Sequence, residues 1–464
     1  MTISRRSFMG ALSALAGATI LGGPSAEAET DADMPLFIFG YFQGAWDTLL
    51  SLDPRDNTTF PTIGSDIDPA MALAAAGDTE LAAELSQNPT GLVQPNGSNI
   101  VFGSSVGRLA NLYEELAVVR GVDMGTLTHE VGRRYFLTGK FPRGLQAVGS
   151  ALPTWIVSPY VDQRDIPNLS VGVESYNEGL SPSASAMRIN SAADLGLVML
   201  PIQPELAPGP ASRAAIDEYL AVQRCHDQQL DGSGRVSDFM AARPNAARLS
   251  SGELFEHFNF VSNPEPSSEL AELYEAFNVS QGNFAAQLAG PAGQAMIAAQ
   301  ALRWGISQAV SIVLASGIDH HDNDWQTDHS VALRNGFNAA ADLITFLKNT
   351  QDGEKSSSLW DRTTLVLFSE FARTPGVNAR GGRDHHLANS CVIAGQGIRG
   401  NQVIGATNDN NYGVMPVNFA SGAPSESGEV IRPTDLHATV LEAMGMSHEP
   451  LANQEPRIIE ALLA

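Results

Sequence analysis

One apolar run, Val310-Ser311-Ile312-Val313-Leu314-Ala315, empties within four residues into Asp319-His320-His321-Asp322-Asn323-Asp324-Trp325. A short apolar stretch between small residues reads as a buried strand. A buried strand that ends in acids and imidazoles places oxygen and nitrogen donors at the edge of a sheet. The same arrangement recurs twice. Thr363 to Phe368 reads as a strand and runs into Ser369-Glu370-Phe371-Ala372-Arg373-Thr374-Pro375, and Gly381-Gly382-Arg383-Asp384-His385-His386 precedes the apolar run Cys391 to Ala394. Five of the ten histidines lie between positions 320 and 386, which points to a metal site built from several loops rather than one continuous motif.

The remaining pattern fixes the fold class. Pro35 to Phe39 reads as a first strand running into Gly40-Tyr41-Phe42-Gln43-Gly44-Ala45-Trp46-Asp47. Val106 to Leu116 has helical spacing, and Leu116 to Val119 reads as the next strand, followed by Thr126-Leu127-Thr128-His129-Glu130. His329 to Leu347 is an amphipathic helix between two strands. Strand, loop, helix, strand is the order of an α/β domain. The expectation is a doubly wound, mostly parallel sheet flanked by helices, with a turn-rich and helical excursion at about 175–308. Shorter readings are extended pieces at Trp155 to Val157 and Leu169 to Val173, helices near Met71 to Leu85 and over Ser212 to Cys225, a helix starting at Pro433 and stopping at Gly445, and a last short helix over Ile458 to Leu463. Gly395-Gln396-Gly397-Ile398-Arg399-Gly400 has neither the spacing nor the lysine of a P-loop and reads as a turn.

Ser4-Arg5-Arg6-Ser7-Phe8-Met9 precedes a weakly apolar Ala/Gly run, and Ala26-Glu27-Ala28 has small residues at cleavage spacing. This reads as a twin-arginine export leader over 1–28, with 29–464 as the exported domain, in the periplasm or secreted. No later stretch reads as a transmembrane span, so no stable membrane insertion is expected. The net charge of −24 repels phosphate backbones and speaks against nucleic-acid binding. Two cysteines make no disulfide scaffold; Cys391 reads as a buried small side chain, and an oxidising compartment permits a Cys225–Cys391 bridge.

Carboxylates and imidazoles together suit one or two divalent ions. Zinc or manganese is favoured by the histidines, and magnesium or calcium is possible. The metal candidates are Asp47, Asp319, His321, Glu370 and His385, with Asp384 and His386 as alternatives and Asp47 also readable as a turn cap. His321 is preferred to His320 because residues two apart on extended backbone share a direction with Asp319. The catalytic candidates are Thr128, as nucleophile or N-cap; His129, as proton acceptor or ligand; and Arg373 and Arg383, as oxyanion clamps or partners of nearby acids. No G-x-S-x-G elbow, H-E-x-x-H or C-x-x-C-H motif is present.

Taken in order, the twin-arginine leader, Thr128-His129, Asp319-His320-His321, Ser369-Glu370-Phe371-Ala372-Arg373-Thr374-Pro375, Gly382-Arg383-Asp384-His385, Gln402-Val403-Ile404-Gly405-Ala406-Thr407 and Pro433-Thr434-Asp435-Leu436 resemble the exported bacterial family known as domain of unknown function number 1501. That family in turn resembles the alkaline phosphatase and sulfatase superfamily. The resemblance implies an alkaline phosphatase-like fold with metals at the sheet edge, and an exported metal-dependent hydrolase of a small anionic phosphate or sulfate ester. It also implies Asp47 as an early ligand, Thr128 in the nucleophile region, Asp319 and His321 as a ligand pair, and Glu370 and His385 as later ligands. Two departures stand out: Ser369-Glu370 replaces the superfamily's usual Asp-His pair, and the Asp/His spacing at 319–321 is compressed. The alternative is a non-catalytic exported binding or assembly protein whose metals hold its loops together for a protein partner.

Overall fold

The central strands are buried on both faces, so they read as continuous apolar runs rather than alternating ones. In the strand Leu36–Phe42 (β1) every residue is buried. Its odd-numbered Phe37, Phe39 and Tyr41 enter one apolar cluster, while Leu36, Ile38 and Phe42 enter another on the opposite face. That alternation makes a three-layer molecule, with a sheet sandwiched between two sets of helices.

The computed structural model describes residues 34–55, 91–200, 208–230, 249, 254–261, 264–265, 268–322, 325, 328–353 and 355–464. The expected leader and the helix near Met71 to Leu85 lie outside these residues. After β1 come Leu116–Asp123 (β2), Asn168–Val171 (β3), Met187–Ile189 (β4), Ala309–Ala315 (β5), Thr363–Phe368 (β6), Ala372–Arg373 (β7), His385–His386 (β8), Ala388–Gly395 (β9) and Gln402–Ile404 (β10). Eight of these form one sheet in the order β10-β2-β9-β6-β1-β5-β3-β4, and β7 pairs with β8 apart from it. Within the large sheet β9 is antiparallel to both neighbours, β2 and β6, and every other pairing is parallel. Seven strands therefore point one way and β9 alone runs back. The expected doubly wound, mostly parallel α/β sheet is the architecture found.

Five helices position the site. His129–Thr138 (α1), Leu152–Val157 (α2) and Pro433–Ala443 (α5) cover the face carrying Phe37 and Phe39. Pro291–Arg303 (α3) and Asp328–Asn349 (α4) cover the other. The expected excursion contains β4 and the helices Ala192–Met199, Pro210–Leu230, Glu269–Ala276 and Phe284–Ala289. The helix at Pro433 stops as read, with Gly445 at a positive φ of 69° just past the Met444 C-cap.

Two local readings change. Trp155 to Val157 is the end of helix α2, not an extended piece. The β-branched Ile156-Val157 pair looks strand-like, but Pro153 sits in the first turn, where a proline favours starting a helix. The last helix shrinks to a 3-10 turn at Glu460–Leu462. Cys391 is a buried free thiol in β9.

Candidate metal centre

The parallel strands deliver their C-terminal ends, and β9 its N-terminal end, to one edge of the sheet, where open α/β sheets place their ligands. β2 leads to Leu127 and helix α1, β5 to Asp319 and His321, and β6 to Ser369, Glu370 and β7. His385 stands just before β9. Two glycines let these loops close on one another. Gly44 takes a φ of +120°, and a Cβ there would fall 2.8 Å from the Asp319 nitrogen. A Cβ on Gly382 would fall 2.1 Å from the His321 carbonyl carbon.

Four donor atoms meet at this edge. His129 Nε2, His385 Nε2 and Asp319 Oδ1 form a triangle with sides of 3.1, 3.3 and 3.3 Å. His321 Nε2 lies 3.1 Å from His385 Nε2 and 3.0 Å from Asp319 Oδ1, so a second triangle shares that edge. Donors held 2.0–2.1 Å from a tetrahedral zinc stand about 3.3 Å apart.

The far nitrogen of each ring decides what the near one presents. His129 Nδ1 donates to Glu370 Oε1 at 2.7 Å, His321 Nδ1 to Asp384 Oδ1 at 3.0 Å, and His385 Nδ1 to the Leu127 carbonyl at 2.8 Å. All three partners are acceptors, so each Nδ1 carries the proton and each Nε2 turns a lone pair inward. Arg373 already donates to Asp319 Oδ1 at 2.6 Å and stands 3.3 Å from His321 Nε2. The lone pairs of His129 and His385, facing each other and that carboxylate oxygen, call for a cation or a proton between them. Ligating histidines are fixed by the same kind of Nδ1 partner. By geometry and donor chemistry, these residues fit a divalent ion, and His129, Asp319 and His385 form a group with the capacity to hold one.

Electrostatics follow from this packing. Burial lowers the His129 pKa, but the hydrogen bond and charge of Glu370 outweigh it and raise the net value. Burial raises Asp319, while the Arg373 guanidinium, 2.6 Å away, holds it well below the usual carboxylate range. Burial pushes His385 down.

The family model for Protein of unknown function (DUF1501) matches residues 37–456, a span holding every one of these donors. The chain belongs to that family. No curated protein sequence matches this DUF1501 chain. Solved structures similar to it include PsFucS1 sulfatase from Pseudoalteromonas sp., at 12% identity and TM-score 0.37, covering 93% of this chain and 72% of that one. Another is Ps i-CgsB in complex with k-i-k-neocarrahexaose, at 10% identity and TM-score 0.36, covering 92% and 75%. A TAB5 alkaline phosphatase mutant with Mg bound has 9% identity and TM-score 0.32, covering 89% and 99%.

The sequence-derived candidates of the DUF1501 chain divide by where their side chains point. Asp319, His321 and His385 turn donors inward, and His129 joins them. Glu370, read as a metal ligand, sits behind His129 with its oxygens already engaged. Oε1 accepts from His129 and from the Gly44 N–H, while Oε2 accepts from the Tyr41 hydroxyl, with the Ser369 hydroxyl at 3.0 Å. Asp47 stands apart from the group. Its carboxylate caps its own turn through the Leu49 and Leu50 N–H groups, accepts from Trp325 Nε1 at 2.7 Å, and pairs with Arg383 at 3.2 Å.

Neither arginine presents a free fork. Arg383 is buried against Asp47 and the Trp325 ring. Arg373 is buried too, and holds the Gly44, Ala45 and Ile318 carbonyls together with Asp319. Thr128 is exposed at the N-terminus of α1, and its side chain makes no capping hydrogen bond. His386 turns away from the donors to the Asn411 carbonyl. The sequence reading missed Tyr41 and the Leu127 carbonyl. Neither has a signal of its own, because Tyr41 is one aromatic in an aromatic strand and Leu127 acts through its backbone.

Proposed function

We propose that this chain is a metal-dependent hydrolase of phosphate or sulfate monoesters, exported to the periplasm or beyond. The observation that carries the reading is the convergence of three inward-turned Nε2 atoms and Asp319 Oδ1, each ring locked by a separate acceptor. His129, Asp319 and His385 would hold the ion, with His321 as a fourth donor. Three nitrogens to one oxygen favour zinc, with manganese next. A bound divalent ion supplies Lewis acidity toward the ester's anionic oxygens and eases ionisation of the attacking hydroxyl.

The chain's own residues supply the rest. Arg373 anchors Asp319 by a 2.6 Å charged hydrogen bond while tying four backbone carbonyls together, those of Gly44, Ala45, Ile318 and Arg383, which keeps the donors preorganised. Glu370 orients His129. Thr128, exposed beside His129 at the first turn of α1, is the candidate nucleophile; the N–H groups of that turn favour an anion next to it. In the overall reaction the water oxygen bonds to phosphorus or sulfur, and the ester oxygen departs as an alcohol that takes up a proton. The export reading rests on Arg5-Arg6 and the Ala/Gly run that follows.

The test is to purify the full chain, measure bound metal, and assay a panel of phosphate and sulfate monoesters with and without chelator. Chelator-sensitive turnover, lost by more than about 100-fold in Asp319→Asn and His385→Ala, is the expected result. A metal-loaded protein inert across the panel sinks the reading. Thr128→Val separates the nucleophile assignment: turnover unchanged within about threefold removes Thr128 from the chemistry.

A further inference from the structure

Three exposed large apolar side chains are tied to the loops that carry the donor group. Leu127 is 47% exposed, Phe141 47% and Leu387 45%. Leu127 is the residue whose carbonyl holds His385 Nδ1. Leu387 comes two residues after His385, and its carbonyl accepts from the Met124 N–H at 3.1 Å, which ties it to the same loop. The Phe141 ring lies against Gly125 of that loop, where a Cβ would sit 3.4 Å from it, and packs edge-on to Tyr135 of helix α1 at 5.2 Å. A single short loop, Met124 to Leu127, thus joins three apolar side chains to a metal-ligand candidate. Water-exposed apolar surface clustered beside a polar centre, unlike a scattered leucine, calls for an occupant.

Charge narrows the occupant. The chain carries a net charge of −24, and Asp319 and Asp384 are about half exposed at the donor group itself. A field of that sign repels a ligand with many negative groups and tolerates one whose single anion is neutralised locally by the ion. We infer that Leu127, Phe141 and Leu387 form an apolar collar that receives the hydrophobic alcohol portion of the substrate, so that this site takes amphiphilic monoesters, with one anionic head and an aryl or alkyl body, rather than polyanionic saccharides. This rests on the metallohydrolase reading above.

The experiment measures equilibrium binding to the zinc-loaded full chain of two non-hydrolysable probes, naphthylmethylphosphonate and methylphosphonate. The collar predicts that the naphthyl probe binds at least about tenfold tighter, as expected for an aromatic ring that leaves water. The double variant Phe141→Ser/Leu387→Ser should abolish most of that advantage while leaving methylphosphonate affinity unchanged. Both positions are exposed, and a circular dichroism spectrum matching the parent checks that the variant is folded. Equal affinity of the two probes, or a naphthyl advantage untouched by the double variant, overturns the collar while leaving the metal site intact. Failure of both probes to bind overturns the collar and the reading beneath it.

Discussion

Arg383 meets Asp47 where neither side chain is reached by water: their exposures are 2% and 0%. The guanidinium is also 4.2 Å from the centre of the Trp325 ring, and Trp325 Nε1 donates to the same carboxylate. Removing one partner leaves the other charge buried and unpaired, which costs far more than the pair contributes net. Arg383→Met should therefore destabilise the metal-free protein by about 3–5 kcal/mol in urea unfolding. Adding Asp47→Asn to it should recover a measurable part of that loss. If Arg383 were instead a free oxyanion clamp, the single variant would unfold like the parent. The sequence shows that these acids and arginines cluster near strand ends. It does not show which donors face one another, because that depends on partners hundreds of residues away. Glu370 follows β6 directly and looks like a ligand, yet Tyr41 and Gly44 of the β1 region fill its oxygens, 329 and 326 residues distant. His129 reads as proton acceptor or ligand beside Glu130, but nothing in that local sequence says that it joins a centre formed with residues 319 and 385.

At the level of elements, long apolar strands were legible and short edge pieces were not. β1, β5 and β6 announce themselves because they are buried on both faces. β4 and β10, three residues each, carry too little pattern to separate from a loop. Helix α5 was readable from Pro433, and its interior holds a further consequence. His437 is fully buried among apolar residues, its Nε2 donating to the Phe136 carbonyl at 2.6 Å. Burial lowers its pKa to about 4. The unfolded chain, with an ordinary histidine near 6.5, takes up that proton more readily than the native state. Stability from this residue is therefore complete above about pH 6.5 and declines as the pH falls toward 4, by roughly 3 kcal/mol in all. Chemical denaturation at stepped pH should show the decline, and His437→Gln should flatten that part of the profile. A parent profile flat between pH 6.5 and 4 contradicts the assignment.

For the molecule as a whole, residues Pro35–Ala464 form one compact unit, and its candidate donors come from positions far apart in the chain. An ion held by the three loops that carry these donors would bind the native state and find no preformed site in the unfolded one. Zinc at about 100 times its dissociation constant should raise the unfolding free energy by about 2.7 kcal/mol. Chelation should reverse the gain, and His385→Ala should remove most of it, as read by thermal or urea unfolding with and without metal. An unchanged midpoint on adding zinc would mean that the four donors hold no ion.

Strand β9 gives that assembly an order in time. Because it alone runs back through the sheet, the chain needs no crossover helix between Phe368 and Ala388. Glu370, Arg373, Asp384 and His385 all fall in the single stretch that turns at the sheet edge. His129 and Asp319 leave the ribosome well before that stretch, so a nascent chain carries an incomplete set of donors through most of its synthesis. The donor set is complete only once synthesis reaches the last fifth of the polypeptide, where His385 lies.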